Sequence, residues 1–149
     1  MYQLYLFLHI AAAAAWIGAA LIEVLQKPAI GSGSPETRAH VLRVQASMGP
    51  RFYAPAAVVV LASGILLVLN NDAVGFGTTF VSIGFLAIVF GAVVGGGLLG
   101  KRAEQVAARL DSGDVSGAHA IESKTRPIEF LDIAVLLVTL AAMVWKWGL

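Results

Sequence analysis

Between Tyr2 and Leu25 the only charged residue is Glu23, so the chain opens with a stretch long enough and apolar enough to cross a bilayer. Three more stretches meet the same requirement, giving spans at about 2–25, 50–69, 78–100 and 127–147. Within hydrocarbon every backbone N–H and C=O must find its partner inside the protein, and none of the four stretches shows the alternation of a barrel strand. All four therefore read as α-helices. The expected fold is an all-α membrane protein: an antiparallel bundle of four transmembrane helices with short cytoplasmic helices, one membrane domain over 149 residues.

Composition agrees. The chain is 58% hydrophobic and only 13% charged, against roughly 25% charged in soluble domains. A net charge of +1 with no dense basic stripe argues against nucleic acid as a partner and leaves membrane lipid. The absence of cysteine removes disulfides, thiolate catalysis and thiolate metal sites together. No positive charge precedes the first apolar run, which is also too long for a signal-peptide core, so it reads as a retained span.

Nine of the ten basic residues fall in two connections. Lys27, Arg38, Arg43 and Arg51 follow the first span; Lys101, Arg102, Arg109, Lys124 and Arg126 follow the third. The hairpin around Asn70-Asn71-Asp72 has none. The positive-inside bias then places both long connections in the cytoplasm and both termini outward, in a bacterial inner membrane. Tyr2, Tyr5, Trp145 and Trp147 suit an outer aromatic belt. Ser34-Pro35-Glu36 has the pattern of an N-cap, a first-turn proline and an early acid. It predicts a helix to about Met48 that lies on the membrane surface. The third helix is expected to continue through Lys101–Asp111, with Lys101 and Glu104 spaced to pair. A short helix is expected over about 118–124. Pro55 is expected to bend the second helix or start a 3₁₀ turn.

Polar residues within the spans narrow the functional field, since each is expensive against lipid and should face inward. His9, Trp16 and Glu23 recur every seventh residue along one helix edge. His9 has the chemistry to ligate a haem iron or relay a proton, or to hydrogen-bond a neighbouring helix. Met143 lies at a comparable depth as a second axial ligand, with Trp16 beside such a site. No cofactor is fixed by the residues; haem b is the one that ligation by His9 implies. Glu23, Glu129 and Asp132, with Arg51, Arg102 and Arg126 within reach, should meet at the inner boundary, either as a polar vestibule or as an ion-paired network at helix ends. Ala87-Gly91-Gly95 is a small-xxx-small ridge for helix packing, within the bundle or across a homodimer. No charge falls near the middle of any span, which argues against an ion-coupled transporter. No metal site and no catalytic constellation stand out, so the chain leans away from an enzyme.

Leu8-His9-Ile10 with Trp16-Ile17-Gly18, Arg51-Phe52-Tyr53 with Pro55, and Arg126-Pro127-Ile128-Glu129 together resemble a family of small bacterial four-helix integral membrane proteins without assigned function. More distantly they are similar to copper-resistance-D-like proteins and to haem-carrying membrane protoporphyrinogen oxidases. The latter resemblance implies haem binding at His9. The lysine and further histidines of those oxidases have no counterpart between Gly77 and Leu99. Three functions follow from the residues, in this order: a non-enzymatic accessory or scaffold component with a membrane-complex partner, a haem- or porphyrin-binding redox protein using His9, and a small transporter with an acidic vestibule on the cytoplasmic side.

Overall fold

The structure, a computed structural model, describes all 149 residues, and the chain is almost wholly helical. Helix α1 (Tyr2–Leu25) is followed by the single turn α2 (Lys27–Gly31). Helix α3 (Pro35–Met48) passes through a π-helical turn (Gly49–Tyr53) directly into α4 (Ala54–Leu69). Helix α5 (Thr79–Gly91) passes through a longer π-helical segment (Ala92–Leu99) into α6 (Gly100–Asp111), and α7 (Val115–Trp145) is unbroken. The chain thus makes four rods, Tyr2–Gly31, Pro35–Leu69, Thr79–Asp111 and Val115–Trp145, each long and apolar enough to cross a membrane. A rod of 31 residues is about 46 Å long against a hydrocarbon core of about 30 Å, so the rods project well beyond lipid.

The rods run antiparallel. His9 meets Val60 and Ser63 near the far end of the second rod, and Phe80 N–H donates to Trp147 O at 3.0 Å where the third rod begins and the fourth ends. Lengthwise, α1 packs along α4 and α5 along α7, with α1 also touching α7. The termini and the Asn70–Thr78 hairpin share one end, here the hairpin end; the long connections form the other, the basic end.

The two ends are held together differently. The only cluster of buried large side chains lies at the basic end, where Leu42 of α3, Val106 and Leu110 of α6 and Ala118 of α7 close together. Inside the spans the buried residues are mostly small: Ala20, Ser63, Gly84, Ala87, Gly91 and Ala142. Lipid covers apolar side chains as well as a core does, so helices in the spans gain by close backbone approach rather than by burying bulk. Leu86, Val89, Val93 and Val144 accordingly face outward. At Gly84 a Cβ would come to 2.5 Å of Met143 Cε, and at Gly91 to 3.0 Å of the Trp16 indole.

Several local expectations are corrected. The helix over 35–48 does not lie on the membrane surface; it continues the second rod and is packed against α6, with Ala39 and Leu42 buried there. Arg38 donates two bonds to Glu122 at 2.9 and 3.0 Å, and Arg43 pairs with Asp111. Lys101 and Glu104 form no ion pair. No separate helix over 118–124 exists, because α7 runs on through Pro127. Pro127 offers no N–H to the Ser123 carbonyl one turn back, and the adjacent Lys124 carbonyl accepts from Arg102 Nη1 at 3.2 Å. Ahead of Pro55 the turn is π-helical rather than 3₁₀. Pro55 cannot donate to the Arg51 carbonyl, and the turn ahead widens so that Ala54 N–H reaches Gly49 O, five residues back.

At the start of α7, Asp114 accepts from Gly117 N–H at 2.8 Å and from Arg109 Nη1 at 2.7 Å. These donors, the Gly117 amide foremost, hold its carboxyl below the usual aspartate range. With the folded pKa depressed, the cap contributes fully above the unfolded value and is lost as pH falls through the lower, folded one. The Gly117 amide resonance should therefore titrate with a midpoint below about 3.9, and a midpoint at or above that value would remove the cap. In the core at the basic end, Leu110→Ala should cost about 2–3 kcal/mol in equilibrium unfolding from detergent. Leu86→Ala, on the lipid face, should stay within about 0.5 kcal/mol.

Candidate functional site

A cavity of about 400 Å³ opens between the four rods at the basic end, within the range of small-molecule sites. Its inner end is formed by α1. Trp16, Ala20 and Glu23 follow at i, i+4 and i+7 and so share one face, and all three line the cavity. The Trp16 ring is almost fully buried, seated over Gly91 and 5.9 Å from the ring of Tyr53 at a tilt of 56°. Glycine at 91 is what admits the indole, because a Cβ there would press on its ring carbons. Tyr53 is placed by the widened turn that Pro55 imposes.

Acids and bases are arranged in layers above this aromatic floor. Asp132 on α7 is 8% exposed, lines the cavity, and takes part in no hydrogen bond or ion pair. It lies about 9 Å along its helix from Arg126, well inside the apolar part of the rod. Glu23 Oε1 and Tyr53 Oη are both buried beside one another, and neither has any other hydrogen-bond partner. Nearer the opening, Lys27 pairs with Glu129, and Arg38 with Glu122. Arg102 is taken by the Lys124 carbonyl and by Thr125 Oγ1 at 3.3 Å. Buried acid without a partner thus lies deep, and paired charge lies shallow.

Of the acids expected to meet, Glu23, Glu129 and Asp132 all line the cavity. Arg51 does not; it is exposed on the outside of the π turn, and Lys27 stands where it was expected. Lys27 follows Trp16 by eleven residues, three helical turns, so its place on that face could be read from spacing. Its pairing with Glu129 depends on how α1 and α7 meet. Gly91 and Gly95 point inward. Gly91 receives Trp16 of the same chain, whereas a Cβ at Gly95 would meet nothing within 4 Å and would face the cavity. Tyr53 carried no polar signal of its own in the aromatic pair Phe52-Tyr53.

His9 lies elsewhere, nearer the hairpin end. Its Nδ1 lies 3.0 Å from Val60 O and 3.2 Å from Ser63 Oγ, and the ring rests on Gly64. Since a carbonyl can only accept, Nδ1 carries the proton. Met143 is turned onto Gly84 of the third rod. The two residues project to different neighbours, and neither lines the main cavity. This arrangement does not fit a haem held between His9 and Met143. No three His, Asp or Glu side chains converge as a metal site.

Comparison with protein-family models, with curated proteins and with solved structures gave no match. The site therefore rests on its own geometry.

With its one Nδ1–H shared between Val60 O and Ser63 Oγ, His9 acts as a clamp between α1 and α4. His9→Ala should lower stability by about 1 kcal/mol, the usual net worth of such hydrogen bonds, in thermal or denaturant unfolding from detergent. No change after His9→Ala would show that the first two rods are held by backbone contact alone.

Proposed function

We propose that this chain is a multi-pass protein of a bacterial cytoplasmic membrane that binds a small molecule in a polar vestibule open to the cytoplasm. The observation that carries this is the cavity of about 400 Å³ with Asp132, Glu23, Tyr53 and Trp16 at its inner end. An ionisable side chain buried among membrane helices without a partner is a costly thing to keep, and such residues commonly mark a binding site or pathway. Orientation follows from the basic residues, nine of ten of which are at the end where the cavity opens. The accessory or scaffold role is less well supported, since Gly91 of the ridge is occupied by Trp16 of the same chain.

The natural absence of cysteine makes a direct test simple. Gly95→Cys adds a thiol to the cavity wall where a Cβ meets nothing. In inverted membrane vesicles a membrane-impermeant maleimide should label Gly95→Cys. It should spare Leu86→Cys, which is 70% exposed on the apolar outer face. Asn71→Cys, in the hairpin, should label only in right-side-out vesicles. An unreactive Gly95→Cys in vesicles whose orientation Asn71→Cys has verified would end the vestibule reading.

A further inference from the structure

Resting on that reading, we infer that the vestibule selects an organic ammonium ion, seated with its charge between Asp132 and Glu23 and against the rings of Trp16 and Tyr53. Four features lead to this class of ligand.

The first is the imbalance of charge with depth. The cations that line the cavity are already engaged near its opening: Lys27 by Glu129, Arg38 by Glu122, and Arg102 by Thr125 and the Lys124 carbonyl. Arg126 is exposed at the rim. Below them Asp132 and Glu23 have no cationic partner within ion-pair distance, although Lys27 is one turn from Glu23 on the same rod. An anionic ligand reaching the inner end would meet two carboxyl groups and no free positive charge.

The second is the unmet hydrogen-bonding capacity there. Asp132, 8% exposed and facing the cavity, accepts no bond, and the donor beside the buried Glu23 carboxyl is the neutral Tyr53 hydroxyl rather than a charged N–H. An N–H donor bearing positive charge supplies what both lack, and charge-assisted bonds are the stronger kind. The third is the pair of aromatic rings, Trp16 and Tyr53, whose centroids lie 5.9 Å apart at the same end. The faces of such rings attract a cation within about 6 Å, tryptophan most of all.

The fourth is size. The cavity is far larger than a bare ion, and no three carboxylate or imidazole groups converge to replace a metal's hydration shell. An organic cation instead brings its own apolar bulk, which Ala20, Val24 and Leu99 on the wall can cover. Charge deep, apolar body in the middle and polar rim outside is the ligand shape that this lining matches.

The test uses the full chain in detergent with Trp145→Phe and Trp147→Phe, both exposed at the hairpin end, so that Trp16 alone reports. Benzylammonium, benzyl alcohol and benzoate share one ring and differ in charge. Benzylammonium should change Trp16 fluorescence saturably, Asp132→Asn should weaken that binding at least tenfold, and Glu23→Gln should weaken it severalfold. Benzoate and benzyl alcohol should produce no saturable change. Glu23→Gln also covers the case in which Asp132→Asn fails to fold, as judged by gel filtration. Saturable binding of benzoate, or benzylammonium binding indifferent to the carboxamide variants that fold, overturns the cation assignment. Silence of all three probes while Gly95→Cys still labels from the basic end also overturns it and leaves the vestibule standing. If Gly95→Cys is unreactive as well, the vestibule itself is lost.

Discussion

Lipid supplies no hydrogen bonds, and that single deficiency shapes this molecule. Each span must satisfy its own backbone, which makes it a helix, and polar side chains must turn towards other helices. What lipid does supply is apolar contact, so the spans have no need of a large-residue core. They meet through Ala20, Ser63, Gly84, Ala87, Gly91 and Ala142, while leucine, valine and isoleucine point out. Where the rods leave the membrane the rule reverses. Water makes burial of bulk favourable again, and Leu42, Val106 and Leu110 gather into the one dense cluster in the structure.

The cavity lies between these two regimes. Towards the hairpin end the small-residue contacts bring the rods close. Beyond it the helices α3, α6 and the start of α7 are bound by their own core and by the Arg38–Glu122 and Arg43–Asp111 pairs. Between them, α1 ends at Leu25 and the single turn Lys27–Gly31 follows, so no long helix continues the first rod into the outer cluster. The opening left there is lined by the last turns of α1 and the first half of α7.

Both π-helical segments fall at this level, Gly49–Tyr53 in the second rod and Ala92–Leu99 in the third. The first has a covalent cause in Pro55. The second contains Gly95-Gly96-Gly97, whose lack of side chains lowers the cost of departing from α geometry. Wide turns of this kind recur at functional sites because they displace a side chain by a fraction of a turn from where an α-helix would put it. Here the first delivers Tyr53 to Trp16, and the second keeps Gly95 open to the cavity.

The four spans, their helical state and the acids near one end were legible in the sequence, because hydropathy and charge are properties of each residue taken in turn. Heptad spacing along α1 likewise put Trp16 and Glu23 on one edge. Other features depended on which rods became neighbours. Hydrophobic pattern assigned residues 35–48 to a surface helix, since an amphipathic segment covers its apolar side equally well with lipid or with α6; packing chose α6. His9 and Met143 share a depth, yet depth says nothing of azimuth, and each turned to a different rod. Arg51 and Lys27 had the same charge and nearly the same distance from the boundary. Only the meeting of α1 with α7 decided that Lys27 would take Glu129 and that Asp132 would be left facing an open cavity without a partner.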